Sequence, residues 1–252
     1  MTASEQRALL DGAETRWSDG LLDYGQPFPL STATPVSVGL VSSAPEPLAA
    51  RTVRRTVDIL VAVVGLIMMA PVLLALIVAI KLDSKGPALF WQRRVGRDGV
   101  TFTIVKFRTM FTDAEHRLHE LESHNESVGG VLFKMHADPR VTRVGAHLRR
   151  LNVDEVPQLL NVLRGDMSLV GPRPLALRDS RLLSTLHPFE YRLRHVVQPG
   201  MTGEWQIERG ADSDYWHMLQ LDRKYLSTRC LRHDALLALK TIVVLLKAPF
   251  TR

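Results

Sequence analysis

The sequence contains only one cysteine, Cys230, so an internal disulfide is excluded and a reducing compartment suits the chain. Acidic side chains occur throughout the first 30 residues and no long apolar run is found there, so we expect no secretory signal. We find no internal repeat and no recognisable nucleic-acid-binding motif. His116, His119 and Glu120 do not have the spacing of a His-Glu-x-x-His zinc site, and we interpret them as surface residues.

The charge of the chain is unevenly distributed. The net charge is +6, but the first 50 residues contain two basic and six acidic side chains, so they carry −4 and the remainder carries +10. A basic body favours anionic partners such as phospholipid headgroups, nucleotide phosphates or nucleic acid. Because no nucleic-acid motif accompanies this charge, we expect no nucleic acid partner, and a membrane-tethered nucleic-acid binder is kept only as an alternative.

Residues 1–50 are predicted to form a poorly ordered tail. Five prolines punctuate the stretch from residue 27 to residue 50, which is rich in serine, threonine and alanine. Little in this segment could form a core. We assign it no function.

Residues 59–80 form an uncharged run of 22 residues. As a straight helix it would be roughly 33 Å long, enough to span the hydrocarbon layer. Pro71 lies near its middle, where it removes a backbone hydrogen bond and bends a helix. Basic residues crowd both ends of the run, which favours both ends on the cytoplasmic face. We therefore predict a re-entrant membrane helix over residues 51–85, kinked at Pro71; an ordinary kinked span is the alternative.

A small β-hairpin is predicted after this helix, in a chain that is otherwise mainly α-helical. Residues 88–91 and 101–105 have strand-like composition and flank a turn at residues 96–99. The hairpin would present Lys106 and Arg108 at its end. Either these two face a phosphate or they form a solvated basic edge. Residues 234–247 are apolar and form either an interfacial helix or a buried core helix.

A short helix is predicted between Asn152 and Arg164. Asn152 can cap its N-terminus, and Glu155 can reach back to the cap amide as in a capping box. In that interpretation Asp154 and Glu155 only complement the helix dipole. However, arginines surround the pair in the sequence, and a helix N-terminus with several guanidinium groups is a natural phosphate site. Adjacent carboxylates would repel a phosphate unless one binds a metal ion or attacks phosphorus.

The stretch RRLNVDEVPQLLNVLRGDMSLVGPRP, residues 149–174, resembles the signature of the bacterial sugar transferases that prime polysaccharide assembly, the monotopic polyprenyl-phosphate phosphoglycosyl transferases. QRRVG, KFRTM and DPRVTR upstream follow the same family order, and the resemblance extends from residue 51 to about residue 247. Asn152 replaces a serine of the family form, Arg164 replaces a lysine, and Ala70 stands where the family has a serine before Pro71.

This resemblance implies transfer of a sugar-1-phosphate from a UDP-sugar to polyprenyl (undecaprenyl) phosphate, which primes exopolysaccharide or other glycoconjugate synthesis. It implies that Asp154 is the nucleophile, which takes the phosphosugar and expels UMP, and that Glu155 holds Mg²⁺. The residues implied to bind phosphate or substrate are Arg149, Arg173, Lys106 and Arg108.

The resemblance also implies a compact cytoplasmic catalytic domain over residues 86–252, held at the cytoplasmic face of the inner cell membrane and in contact with membrane lipid. The sequence leaves open which sugar is used and whether the chain forms a homodimer. A catalytically inactive, membrane-anchored regulator or scaffold of the same family is the alternative function. Retention of Asp154, Glu155 and Arg173 together argues against that alternative.

Overall fold

The computed structural model describes residues 46–126, 135, 137–208 and 215–247. Most of the predicted tail therefore lies outside the described residues. The first described helix, α1, runs from Leu48 to Asp83, so it begins three residues before the predicted start of the helix at residue 51. Within the described ranges the chain is mainly α-helical with a small antiparallel hairpin, as predicted.

The helix α1 contains 36 residues and continues through Pro71 without interruption. It is long and apolar enough to cross a membrane. One stripe of the helix packs against the rest of the protein on both sides of Pro71. Before Pro71, Ala62 belongs to one core cluster, and after Pro71, Ile80 belongs to another. The other faces expose apolar side chains, including Val64 and Met68.

The hairpin pairs β1 (Leu89–Val95) with β2 (Thr101–Phe107) in antiparallel register, with Phe90 opposite Lys106. A 3-10 turn, Arg97–Gly99, joins the two strands and places Asp98 in the left-handed region. The hairpin predicted from the sequence is confirmed, and each strand is longer than predicted.

Short helices connect the hairpin to the centre of the chain. Residues 112–124 form turns, a four-residue helix and a 3-10 turn. In chain order the elements are α2 (Leu118–Leu121), the 3-10 turn Glu122–His124, α3 (Arg143–Leu151), the 3-10 helix Val153–Gln158 and α4 (Leu159–Arg164).

The single capped helix predicted from Asn152 to Arg164 is wrong. Asn152 adopts φ 55° and ψ 22°, a left-handed conformation, and it ends α3 instead of beginning a helix. Its side chain makes no capping hydrogen bond, and its amide donates to the Arg149 carbonyl at 3.2 Å. Asparagine tolerates the left-handed region better than most residues, which is why it can terminate a helix here.

A second sheet pairs β3 (Ser168–Val170) with β4 (Gly200–Thr202) in parallel. The connection between them holds α5 (Leu177–Leu186) and α6 (Pro188–Arg194). The backbones meet closely beside this sheet, since a Cβ on Gly200 would lie 2.0 Å from the Gly171 nitrogen. Only glycine fits there.

The C-terminal part packs beneath this sheet. It comprises α7 (Glu204–Glu208), α8 (Tyr215–Thr228) and α9 (Leu231–Lys247). In α9, Leu237 is buried in the core while Leu239 is 61% exposed. The inner face of this helix is core, as one of the two sequence interpretations predicts, and the outer face is exposed and apolar, so a position in the membrane interface stays a prediction.

Candidate active site

The two central carboxylates stand at the turn between α3 and α4. Asp154 and Glu155 lie in the 3-10 helix Val153–Gln158, which packs against β2. The buried Asn161 fixes this arrangement: its Oδ1 accepts from the Val105 amide at 3.0 Å and its Nδ2 donates to the Thr103 carbonyl at 2.7 Å. A side-chain amide thus bridges α4 to the hairpin and sets the position of the carboxylates relative to β2.

Glu155 forms a two-pronged ion pair with Arg173. Arg173 Nη2 donates to Glu155 Oε1 at 2.5 Å and Nη1 donates to Oε2 at 3.3 Å. The Glu155 charge raises the pKa of Arg173, more than burial lowers it. Arg173 is held in place from behind, because Arg194 Nη2 donates to its carbonyl at 2.7 Å. Glu155 therefore pairs with a guanidinium instead of reaching back to the amide of residue 152.

Asp154 is 9% exposed and lies within the electrostatic reach of several cations. Burial and the neighbouring Glu155 raise the pKa of its carboxyl, while Lys106, Arg149 and Arg173 oppose the rise. Burial, together with Arg94 and Arg149, lowers the pKa of Lys106 to about 8. The structure thus brings five of the six predicted site residues together: Asp154, Glu155, Lys106, Arg149 and Arg173.

Arg149 projects from the last turn of α3. Its Nε donates to Thr109 Oγ1 at 2.8 Å, which ties α3 to the end of the hairpin. Burial lowers the pKa of Arg149, with Asp154 and Asp138 opposing that effect. The guanidinium is therefore drawn from solvent toward the carboxylates of the site.

Arg108, the sixth predicted residue, has different partners. Its Nη2 donates to both the carbonyl and the Oγ of Ser84 at 2.8 Å, just beyond the end of α1. It is 5% exposed and borders the same cavity as Lys106. Arg108 thus links the hairpin to the end of α1 in this structure, and a phosphate-binding role for it stays a prediction.

Arg94 is a site residue to which sequence reasoning gave no role. It lies on β1, its Nη1 donates to the Pro174 carbonyl at 3.0 Å, and its Nη2 donates to Gln92 Oε1 at 2.6 Å. Burial and the neighbouring Arg173 lower its pKa to about 10. The QRRVG string contains two adjacent arginines, and both lie on β1. Because side chains alternate between the two faces of a strand, only one of the two can face Arg173, and this was the signal for Arg94 in the sequence.

A cavity of about 620 Å³ opens beside Lys106 and Arg149. It lies between the hairpin, the segment after β2 and the start of α5. Its walls combine aromatic and apolar side chains with polar ones, and most of the polar side chains are basic. Among the lining residues are Phe90, Trp91, Phe111, Arg178 and Arg181. Cavities of this size and mixture accept nucleotide-sized ligands.

A second arginine–carboxylate pair supports the site from the interior. Arg194 of α6 lies 3.1 Å from Asp222 Oδ2 of α8, and their side chains are only 2% and 6% exposed. Burial raises the pKa of Asp222 to about 6, so its carboxylate is still charged at neutral pH. Since Arg194 also bonds to the Arg173 carbonyl, this pair fixes the backbone that presents Arg173.

The acidic pair suits a magnesium ion better than a metal held wholly by protein. Within the described ranges, no group of three or more histidine, cysteine, aspartate or glutamate side chains could enclose a metal. Mg²⁺ is commonly bound through one or two carboxylates, with water and substrate phosphates completing its octahedron. Asp154 and Glu155 fit that pattern, provided that the ion pair between Arg173 and Glu155 opens when the metal binds. The arrangement therefore places several cations suited to phosphate groups around one buried carboxylate.

Comparison with known proteins gives an independent view of the chain. The sequence model of the bacterial sugar transferase family matches residues 49–248. The chain is 38% identical over 250 residues to a UDP-glucose:undecaprenyl-phosphate glucose-1-phosphate transferase of Caulobacter vibrioides, covering 97% of this chain and 86% of that protein. It is 40% identical over 210 residues to a UDP-N-acetylgalactosamine-undecaprenyl-phosphate N-acetylgalactosaminephosphotransferase of Aeromonas hydrophila, covering 82% and 46%.

A third relative is the exopolysaccharide production protein ExoY of Sinorhizobium fredii, 37% identical over 192 residues, which cover 75% of this chain and 83% of that protein. The chain spans less than half the length of several of the curated relatives it matches. The matched region includes α1, the hairpin and all the site residues described above.

Proposed function

The chain belongs to the bacterial sugar transferase family, and we propose that it transfers a sugar-1-phosphate from a UDP-sugar to undecaprenyl phosphate, releasing UMP. The observation that carries the proposal is the position of Asp154, a buried carboxylate within electrostatic reach of Lys106, Arg149 and Arg173. Two of these cations, Lys106 and Arg149, also line the nucleotide-sized cavity. The similarity to an exopolysaccharide production protein supports a role in priming such a polymer.

The transfer proceeds as two displacements. An Asp154 carboxylate oxygen attacks the phosphorus that carries the sugar, a new oxygen–phosphorus bond forms, and the bond to the UMP phosphate breaks. An oxygen of the lipid phosphate then attacks the same phosphorus and frees the Asp154 carboxylate. No net proton transfer is required in either step. Because both substrates are anionic, releasing UMP first keeps them from meeting face to face.

The surrounding residues have separate tasks in this scheme. Burial and Glu155 raise the pKa of the Asp154 carboxyl, and the neighbouring cations oppose that rise by favouring its ionised form. Arg149 and Lys106 line the cavity and would contact the diphosphate of a donor bound there, and Arg173 presents a planar pair of donors suited to phosphate oxygens. Glu155 with Asp154 would hold Mg²⁺, which when bound neutralises charge that develops on the transferring phosphoryl group.

The cavity beside Lys106 is where we place the nucleotide half of the donor. Phe90, Trp91 and Phe111 offer flat apolar surface for the base, and Arg178 and Arg181 add positive charge at the start of α5. The lipid acceptor must approach from the bilayer side instead. The proposed division keeps the soluble and the lipid substrate on different paths to Asp154.

We further propose that the protein is monotopic, with the catalytic domain on the cytoplasmic face. What supports this is that both ends of α1 bond to the same domain: Arg55 donates to the Val162 and Leu163 carbonyls, and Asp83 accepts from the Val144 amide. A straight span would leave its two ends on opposite sides of the bilayer. Basic residues at both ends also favour one cytoplasmic side.

Covalent labelling tests the reaction. Purified full-length protein in detergent receives UDP-sugars labelled in the sugar, each with and without undecaprenyl phosphate. We expect a labelled protein adduct and one equivalent of UMP without lipid, ping-pong kinetics with it, and loss of adduct and turnover in Asp154→Asn. An adduct on the folded Asp154→Asn protein would show that another residue is the nucleophile. If no adduct and no UMP form with any sugar, the alternative function, a catalytically inactive regulator, would be favoured.

Impermeant thiol labelling tests the topology. Cys230 is first replaced, and single cysteines are then introduced at Ala50 and at Lys85. We expect both to be protected in intact cells. Labelling of only one site would establish a spanning helix. Pro71→Leu should favour the spanning form, because it restores a backbone hydrogen bond and removes the ring clash.

A further inference from the structure

A second, smaller cavity of about 150 Å³ lies at the start of α1 and shares no lining residue with the cavity beside Lys106. It is bounded by the first turns of α1, the hairpin turn, β3, residues 196–198 and the turn between α8 and α9. Its charged lining residues are five arginines and two carboxylates: Arg51, Arg54, Arg55, Arg97, Arg229, Glu46 and Asp58. The cavity is therefore strongly positive.

Two of these arginines carry buried donors without a partner among the described residues. Arg54 is 8% exposed; its Nε donates to Asp234 Oδ2 at 2.7 Å and its Nη1 to Glu46, yet its Nη2 has no hydrogen-bond acceptor. Arg229 pairs with Glu46 at 3.1 Å through Nη1, and its buried Nε is likewise unpaired. A buried unpaired guanidinium donor is unfavourable, so a bound acceptor is expected there.

The position of the cavity indicates the source of that acceptor. Arg51, Arg54 and Asp58 precede the uncharged run that begins at Ile59, so they lie at headgroup depth if α1 enters the bilayer there. Val57 and Val61, 47% and 48% exposed on α1, and Val196, 43% exposed on the cavity wall, provide adjoining apolar surface. A lipid phosphate in the cavity would accept hydrogen bonds from the unpaired arginine donors, and its acyl chains along α1 would cover the adjoining apolar surface.

We propose that this cavity binds the phosphate of an anionic membrane phospholipid. The shared chemistry is a phosphate anion, and the apolar surface beside the cavity favours a lipid over free phosphate. This site is separate from the catalytic one, and its occupation would stabilise the seating of α1 on the domain. The inference depends on α1 contacting the bilayer and does not depend on the proposed transfer reaction.

The test uses the full chain in neutral detergent, titrated with dioleoyl phosphatidylglycerol, with dioleoyl phosphatidylcholine, or with inorganic phosphate. Thermal unfolding and native mass spectrometry give the readouts. We expect phosphatidylglycerol to raise Tm saturably and to remain bound at one copy. Arg97→Gln and Arg229→Gln should each need about tenfold more of this lipid for half the shift. Neither variant should change turnover in lipid-free detergent beyond twofold.

Arg232→Gln is the matched control, because Arg232 is an exposed arginine at the start of α9 outside the cavity lining. It should titrate like the parent. Equal stabilisation by phosphatidylcholine, or an equal weakening in Arg232→Gln, would overturn the proposal. If millimolar inorganic phosphate reproduced the whole shift and the lipid added nothing, the ligand would be a free anion and the lipid assignment would be wrong. Arg54→Gln is avoided because it also breaks the bond to Asp234.

Discussion

Two arginine–carboxylate pairs lie one behind the other, and they differ mainly in access to solvent. In the accessible pair, Arg173 and Glu155, the side chains are 28% and 24% exposed. In the sealed pair, Arg194 and Asp222, they are 2% and 6% exposed. A hydrogen bond from Arg194 to the Arg173 carbonyl joins the two pairs. The same chemistry can therefore serve two purposes: a pair open to ligands can exchange partners, and an enclosed one can only hold structure.

The largest expected effect is on the sealed pair. Asp222→Asn should destabilise the protein by about 3–5 kcal/mol, because it leaves the Arg194 charge buried without its counter-ion. Thermal or denaturant unfolding of the detergent-solubilised protein measures this. Glu208→Gln, which breaks an exposed contact with Lys224, is the control and should change stability by about 0–1 kcal/mol. A variant Asp222→Asn as stable as the parent would mean that enclosure does not distinguish the pairs.

The second effect is on the accessible pair, in activity and not in stability. Arg173→Lys should lower kcat/KM by about 30- to 150-fold, about 2–3 kcal/mol, since an ammonium lacks the planar pair of donors. Its Tm should stay near that of the parent. Arg164→Lys is the matched control, the same substitution at an exposed position, and it should keep full activity. Equal activity in both variants would place Arg173 outside the phosphate contacts.

A third change tests whether Glu155 exchanges its arginine for a metal ion. Glu155→Gln should raise the Mg²⁺ concentration that gives half-maximal turnover by about tenfold and lower the maximal rate. An amide cannot replace the carboxylate charge at the metal. The readout is UMP release across a Mg²⁺ titration. An unchanged Mg²⁺ dependence would show that Glu155 serves only as the partner of Arg173.

The smallest effect at neutral pH concerns Lys106. Its pKa is lowered to about 8, so the ammonium is present below that pH and is lost as pH rises through it. We expect kcat/KM for the UDP-sugar to fall above about pH 8. Lys106→Arg should remove this alkaline limb, because arginine stays charged, while changing the rate at pH 7 only a few-fold. An alkaline limb that persists in this variant would belong to another group.

Much of the site could be predicted from the sequence because its residues stand in long, distinctive strings. Five of the six predicted residues come together, and the hairpin forms from the two predicted strands and their turn. Arg108 is different for a physical reason. It follows the last residue of β2, so the alternation that carries Lys106 toward the site no longer determines its direction. Its partner, Ser84, is distant in sequence.

The error at Asn152 has a similar origin. Asparagine is common both as an N-cap and as a left-handed terminating residue, and local sequence does not decide between these roles. Here the choice is made by tertiary contacts: Asn161 anchors α4 to β2, and Glu155 is held by Arg173, eighteen residues later. The sealed pair was beyond prediction for the same reason, because burial is a property of the packed helices.

The hydrogen bonds near the start of α1 also bear on the order in which the protein is made. Arg55 bonds to carbonyls 107 and 108 residues later in the chain, and Asp58 accepts from the Leu169 amide 111 residues later. At about 5–20 residues per second, translation takes roughly 6–22 s to supply these partners. During that interval α1 leaves the ribosome before the residues that pack against it have been made. We therefore expect its apolar faces to contact the bilayer first. The pace of synthesis thus favours a helix that meets the membrane first and its own domain second.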